Sequence, residues 1–116
     1  MNFQTMTEQE IWDIANPMMD NLMQASTDID HEKHTRDFTD RAKAIVTKEH
    51  LEMVCKKYQA EKGVWLHREQ LAVLRRPNSA AVIWKQFCSG VEGEYVAEIV
   101  LMFNGEKYLI DHAMVF

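Results

Sequence analysis

Three polar side chains on a predicted apolar sheet face, Glu69, Gln86 and His112, have the types and spacing that acid–base chemistry needs. A carboxylate and an imidazole in an apolar cavity have shifted pKa values and can serve as general base and general acid. A structural role explains the same residues, because a core histidine is ordinarily satisfied by a backbone carbonyl or, here, by Tyr95. The sequence favours the structural role and assigns no catalytic residue.

Four strands of an antiparallel meander must position this row. They are predicted at residues 64–74, 80–88, 94–103 and 106–116. Asn104-Gly105 is the strongest turn signal, since a type I′ turn needs positive φ at both central residues. A two-residue turn also fixes the register of the two strands that it joins. The predicted pairs are Phe103 with Glu106, Leu101 with Tyr108, Ile99 with Ile110, Ala97 with His112, and Tyr95 with Met114.

The inner face of the sheet follows from Lys85 on the second strand. Burying Lys85 would expose Trp84, and buried lysines are rare. Trp84 is therefore expected inward and Lys85 outward, beside Glu98, which the register sets opposite Asp111. An apolar pocket on the inner face is expected to take a small hydrophobic ligand. The predicted ligand-binding residues are Trp65, His67, Glu69, Trp84, Gln86, Tyr95 and His112.

The outer face of the sheet is too apolar for solvent, because an exposed face should alternate polar residues outward. The predicted helices are all needed on the inner face. An uncovered patch of this kind usually marks a partner surface, and a two-fold axis would let the patch meet itself. The sequence therefore predicts a homodimer. The predicted interface residues are Ile83, Lys85, Phe87, Val96, Glu98, Val100, Met102, Leu109 and Asp111.

Three helices are predicted before the sheet. Thr7-Glu8-Gln9-Glu10 is a capping box that starts the first, which Pro17 should kink and which should fade at residues 25–27. The second is capped by Asp28 or Asp30 and runs to about residue 46. The third spans residues 48–62, between a Thr47 cap and a terminating Gly63.

Composition indicates one domain over residues 1–116, since this length suits a single core. A net charge of −5 with no basic stripe argues against nucleic-acid binding. No apolar run reaches membrane-spanning length, and the first residues lack the pattern of a signal peptide. Cys55 and Cys88 are far apart and lack metal-ligand spacing, which favours two buried free thiols in a cytoplasmic protein.

One interpretation of His31-Glu32-Lys33-His34 is a metal site. Histidines three residues apart can share a helix face, and Asp28 or Asp30 lies nearby as a third ligand. A solvated helix start explains the stretch without a metal and is favoured, since no second ligand cluster accompanies it. The sequence predicts no metal and no cofactor.

The order of elements, the stretch DIDHEKHTRDF at residues 28–38 and the final GEKYLIDHAMVF resemble the nuclear transport factor two-like superfamily. This superfamily includes ketosteroid isomerases and SnoaL-like cyclases. The resemblance implies a cystatin-like cone, in which a curved sheet wraps the helices around a pocket and the opposite sheet face often forms a dimer. Its isomerase branch uses inward acidic residues and a tyrosine. No motif assigns those roles to Glu69 or Tyr95.

Two functions stay open from the sequence. The favoured one is a homodimeric binding or interaction module with a small apolar pocket. The alternative is a small lyase or isomerase that acts on a hydrophobic substrate through Glu69 and His112. An open pocket that contains both residues would favour the enzyme, and a pocket filled by Trp65, Trp84 and methionines would favour the binding module.

Overall fold

A computed structural model describes residues 2–116 and has an α+β fold, with helices packed on one face of an antiparallel meander. The predicted fold class is confirmed, and strand order in the sheet follows chain order. The strands are β1 (Trp65–Arg75), β2 (Ala80–Cys88), β3 (Tyr95–Phe103) and β4 (Tyr108–Val115). The helices are α1 (Glu8–Asp28), α2 (His31–His34), α3 (Asp40–Ile45) and α4 (Lys48–Lys62), after a 3-10 turn at Phe3–Thr5.

Helix α1 begins at the predicted capping box, in which Thr7 Oγ1 accepts from Glu10 N and the Glu10 carboxylate accepts from Thr7 N. It continues through Pro17 to Asp28 and does not fade at residues 25–27 as predicted. Its last turn is held by tertiary contact, because Ser26 is buried and its hydroxyl lies 2.6 Å from Tyr58 Oη on α4. Such packing outweighs the weak helix propensity of a Ser-Thr-Asp ending.

The predicted second helix is divided into α2 and α3 by a short extended segment at Phe38. Phe38 is buried and forms a parallel bridge with Ile110 of β4. In this bridge Thr39 N donates to Ile110 O at 2.9 Å, and Ile110 N donates to Asp37 O at 2.7 Å. The segment therefore adds one isolated β-bridge to the edge of the sheet.

Helix α4 has the predicted bounds, with Thr47 as N-cap and Gly63 after its last turn. Gly63 has φ of +81°, and a Cβ at this position would come within 2.7 Å of the backbone nitrogen of Gly90. Only glycine fits this left-handed, crowded position without strain. Leu51 and Cys55 on α4 are buried, yet they lie outside the main cluster of core residues between α1 and the sheet.

The core lies between α1 and the inner sheet face, where the predicted inward orientation of Trp84, Ile99, Leu101 and Ile110 is confirmed. Strands β2 and β3 alternate buried and half-buried residues along their length, as a sheet with one covered face should. Phe38 and Leu51 are also buried, and Ile14, Met18 and Tyr108 are partly buried at the margin of the core.

The predicted register of β3 and β4 is wrong. Phe103 pairs with Tyr108, so the connection has four residues in place of two, and the side chain of Asn104 accepts from the backbone nitrogens of Glu106 and Lys107. A bulge then inserts Asp111 as an extra residue, because Leu101 pairs with Ile110 while Val100 pairs with His112. A bulge of this kind reverses the face of every later side chain. His112 therefore lies on the outer face.

The predicted register of β1 is also wrong, since two irregularities interrupt its pairing with β2. Arg68 lies opposite Gln86 and Glu69 opposite Lys85, which places Glu69 on the outer face. The second irregularity inserts Leu71 between paired residues, and Val73 returns to the inner face, where it is buried.

Ile110→Ala tests the inner-face assignment. The side chain is 1% exposed, and removing it should cost about 2–5 kcal/mol of unfolding free energy, because it leaves a cavity in the core. Ile45→Ala is the matched control, since Ile45 is 56% exposed and should cost less than about 1 kcal/mol. Urea denaturation measures both, and equal losses would contradict the assignment.

Candidate ligand-binding cavity

The predicted row of Glu69, Gln86 and His112 is not formed. His112 Nε2 lies 2.8 Å from the Glu98 carboxylate on the outer face, and Glu69 lies on that face 3.7 Å from His67. Gln86 remains inside and is fully buried, where its Nε2 donates to the carbonyls of Leu66 (2.9 Å) and Phe87 (2.8 Å). Its amide braces the irregular start of β1, and the row offers no shared acid–base site.

Other predicted ligand-binding residues have structural contacts. The indole nitrogen of Trp84 donates to Asn16 Oδ1 at 2.9 Å, and its ring meets Trp12 edge-on at 5.4 Å. Tyr95 donates its hydroxyl to the carbonyl of Glu92, in the loop before β3. The remaining member, His67, is exposed and stacks on Phe87 on the outer face. Of the seven predicted residues, all within the described chain, Trp65 alone contributes to the cavity described next.

A cavity of about 400 Å³ lies at one end of the sheet, between α1, α4, the start of β1 and the end of β4. It lies where α4 packs on α1 and meets β1 at Trp65, which stacks on Tyr58 at 4.3 Å. The last residues of β4 are thereby left without a covering helix. The wall consists of Met19, Leu22, Met23, Ser26, His34, Val46, His50, Leu51, Val54, Cys55, Tyr58, Trp65, Ala113, Met114 and Val115.

The cavity wall is apolar and, within residues 2–116, contains no aspartate, glutamate, lysine or arginine. Its volume falls in the range of about 300–1,000 Å³ that small-molecule sites occupy. Three methionines, Met19, Met23 and Met114, contribute flexible thioethers that adapt to occupants of different shape. The wall therefore suits an uncharged, largely apolar group.

Ser26, Cys55 and Tyr58 form the polar part of the wall between α1 and α4. The Ser26 hydroxyl contacts the Tyr58 hydroxyl at 2.6 Å and the Cys55 thiol at 3.4 Å. Burial raises the pKa of the Cys55 thiol, so the sulfur stays protonated and is a poor nucleophile. These groups satisfy one another, and they position α4 without offering a reactive centre.

His34 was treated in the sequence as part of a solvated helix start, yet it lies in the cavity wall. Burial, and secondarily the charge of His31, lowers the pKa of His34 to about 4, so the ring is neutral at pH 7. Its Nδ1 is buried and lacks a hydrogen-bond partner within residues 2–116. His31 instead contacts the carbonyl of Val46 at 2.9 Å.

The two histidines of α2 therefore have separate structural surroundings. Across the described residues, no group of three histidine, cysteine, aspartate or glutamate side chains could hold a metal ion. The three-residue spacing correctly indicated that His31 and His34 lie close together on one helix. The sequence did not show that His34 faces the cavity.

Comparison with known proteins gives the fold and no family. No protein-family model matches the chain, and no curated protein matches it. Among solved structures, the chain is similar to Bd1075 of Bdellovibrio bacteriovorus, with a TM-score of 0.54 and 14% identity. The similarity covers 87% of this chain but 38% of that protein, so this chain spans well under half of its length. At this identity the likeness concerns the fold alone.

Stability should depend on the protonation of His34. The folded-state pKa of about 4 lies below the ordinary value of 6.5, so the unfolded chain takes up a proton first as the pH falls. The contribution to stability is complete above pH ~6.5 and is lost progressively toward pH ~4, with a loss of about 2 kcal/mol at pH ~4.5.

Urea denaturation above pH ~6.5 and at pH ~4.5 measures this loss of stability, and the His34→Gln substitution should remove it. His67→Gln is the matched control for the substitution itself, because this exposed imidazole lies on the outer face, away from the cavity. A His34→Gln variant that loses as much stability on acidification as the unmodified protein would contradict the assignment.

Proposed function

We propose that this protein is a homodimeric binding module whose cavity takes a small apolar ligand. The cavity of about 400 Å³ with an uncharged wall is the observation that carries the proposal. An apolar group gains about 25 cal/mol for each Å² of surface that it removes from water, so such a wall favours uncharged occupants. The acid–base alternative is not proposed, because Glu69 and His112 lie on the opposite face of the sheet from this cavity.

The outer sheet face supports the dimer. The half-buried side chains of Ile83, Phe87, Val100 and Leu109 form an apolar surface across β2, β3 and β4, and no described helix packs on it. The charged groups of this face already pair within one protomer, which lowers the cost of removing them from water. The pairs are Lys85 with Glu94, His112 with Glu98, and Arg41 with Asp111.

Mixed charges on one face also allow a two-fold partner to match it. Arg41 donates to both carboxylate oxygens of Asp111 and lowers the pKa of that carboxyl, so this pair stays charged to low pH. A surface that carries both signs can meet itself across a two-fold axis with acidic groups facing basic ones. The second copy of this chain is therefore the occupant that we propose for the outer face.

Two further attributes are proposed. The element order and the cavity between the helices and the sheet support membership of the nuclear transport factor two-like superfamily, with its cystatin-like cone. No helix in residues 2–116 is long and apolar enough to cross a membrane. Cys55 and Cys88 are buried free thiols, which supports a cytoplasmic location, where disulfides are rare.

Filling the cavity should abolish ligand binding. Val54 lines it from α4 and is 41% exposed, so Val54→Trp should fill the mouth without disturbing the core. Fluorescence titration with the uncharged apolar dye Nile red should show affinity reduced about tenfold or more. Met53→Trp, on the solvent side of the same helix, is the matched control and should bind as the unmodified protein does. Equal affinity in both variants, or no binding by the unmodified protein, would refute ligand binding in the cavity.

A charge on the outer face should separate the dimer. Val100→Asp places an unpaired carboxylate in the proposed interface and should weaken association roughly hundredfold, while far-UV circular dichroism stays unchanged. Met53→Asp adds the same charge to an exposed helix position and should leave the dimer intact. Sedimentation velocity measures both, and a monomeric unmodified protein at tens of micromolar would refute the dimer.

A further inference from the structure

Strand β4 is an edge of the sheet, and its last part has a free side. Val96 and Phe116 exchange both backbone hydrogen bonds, at 2.7 and 2.9 Å. In an antiparallel ladder such pairs alternate with pairs whose backbone groups point away from the partner strand. The N–H and C=O groups of Ala113 and Val115, which pair with Ile99 and Ala97, therefore point away from β3 toward the free side.

The same edge already accepts a strand one step earlier in β4. Asp37 and Thr39 provide the acceptor and the donor for Ile110, and Phe38 lies beside it. This pairing ends where α3 begins at Asp40, and no other described segment continues it past Asp111. A strand that continued this pairing would lie along Ala113 and Val115.

The free edge faces the cavity, since Ala113, Met114 and Val115 form one side of its wall. Helix α4 forms the opposite side through Leu51 and Val54, and α1 forms the floor. Because side chains alternate across a strand, every second residue of a strand on this edge would point into the cavity. Backbone groups and apolar wall together define a site for an extended chain.

The sequence of the edge is not protected against pairing. Natural sheets guard free edges with lysine, proline or bulges. After the bulge at Asp111, the edge reads His112-Ala113-Met114-Val115-Phe116, which is uncharged apart from an imidazole already paired with Glu98. Met114 and Phe116 are both more than half exposed. Such an edge suits a binding partner.

We propose that the cavity binds an extended peptide segment of a partner polypeptide, which adds a fifth strand beside β4 and places alternate apolar side chains in the cavity. This inference rests on the proposed binding function and assigns the cavity to the apolar side chains of a peptide instead of a separate small molecule. A small apolar molecule would fill the cavity but leave the edge amides of Ala113 and Val115 without a protein partner. A peptide satisfies both, because main-chain hydrogen bonds give affinity and the pocket selects the side chains.

A phage-displayed library of random peptides about eight residues long, selected on the full chain, tests the proposal. We expect enrichment of peptides with uncharged apolar residues at alternate positions. A selected peptide is then synthesised with N-methyl groups on one or the other alternate set of residues. Methylation of the set that faces β4 should weaken binding about tenfold or more in fluorescence anisotropy, while methylation of the other set should not.

Ala113→Pro provides the matching change in the protein. Proline removes the outward N–H of this edge residue, where no bond to β3 is lost, so the strand should persist. Peptide affinity should fall about tenfold while the far-UV circular dichroism spectrum stays unchanged. If Ala113→Pro fails to fold, the methylated peptides decide the question on the unmodified protein.

The outcomes separate this inference from the function on which it rests. Nile red binding without any selected peptide would overturn the peptide proposal and leave an apolar small-molecule site. Peptides whose affinity ignores both methylation patterns would overturn strand addition. Absence of both dye and peptide binding would overturn the cavity itself. Self-association lost in Ala113→Pro, with no peptide selected, would show that the edge pairs with another copy and would also overturn the proposal.

Discussion

The contact between Trp84 and α1 is the interaction on which the rest of this fold depends. Trp84 is fully buried at the centre of the sheet, packs on Trp12 and donates its indole N–H to Asn16. Arg68 adds a second attachment, since its guanidinium lies 5.4 Å from the Trp84 ring and donates to Asp20. These contacts fix α1 across the sheet, and α4 in turn packs on α1. The cavity is therefore set by one helix that both the sheet and α4 share.

Local signals predicted the elements well. Capping residues, the terminating Gly63 and the strict alternation of β2 and β3 act within a few residues, and each agrees with the structure. Bulges escaped prediction because one inserted residue leaves almost no trace in a sequence while it reverses the face of all that follows. Asp111 had this effect on His112. The sequence of β1 does not alternate, since residues 71–74 are four consecutive apolar residues, and this was a signal that its pairing is irregular.

The candidate site was less accessible to sequence reasoning than the fold. Leu51 and Cys55 on α4 are buried, but the sequence of α4 could not say which surface would cover them. Helix α4 packs on α1, where the Ser26 and Tyr58 hydroxyls are in contact although they are 32 residues apart in the sequence. The division of the second predicted helix depends on Ile110, far along the chain from Phe38. Long-range contacts of this kind have no local pattern.

The meander has a consequence for how the chain is assembled. Each strand pairs with its neighbours in sequence, so building the sheet closes only short loops. The contact between Asn16 and Trp84 spans 68 residues, so docking α1 closes a much longer loop than any of the strand connections does. The entropic cost of closing a loop grows only slowly with its length, by about 0.6 kcal/mol for each doubling. Insertions in the connections between α1 and β1 are consequently far less costly than any change to the tryptophan contact itself.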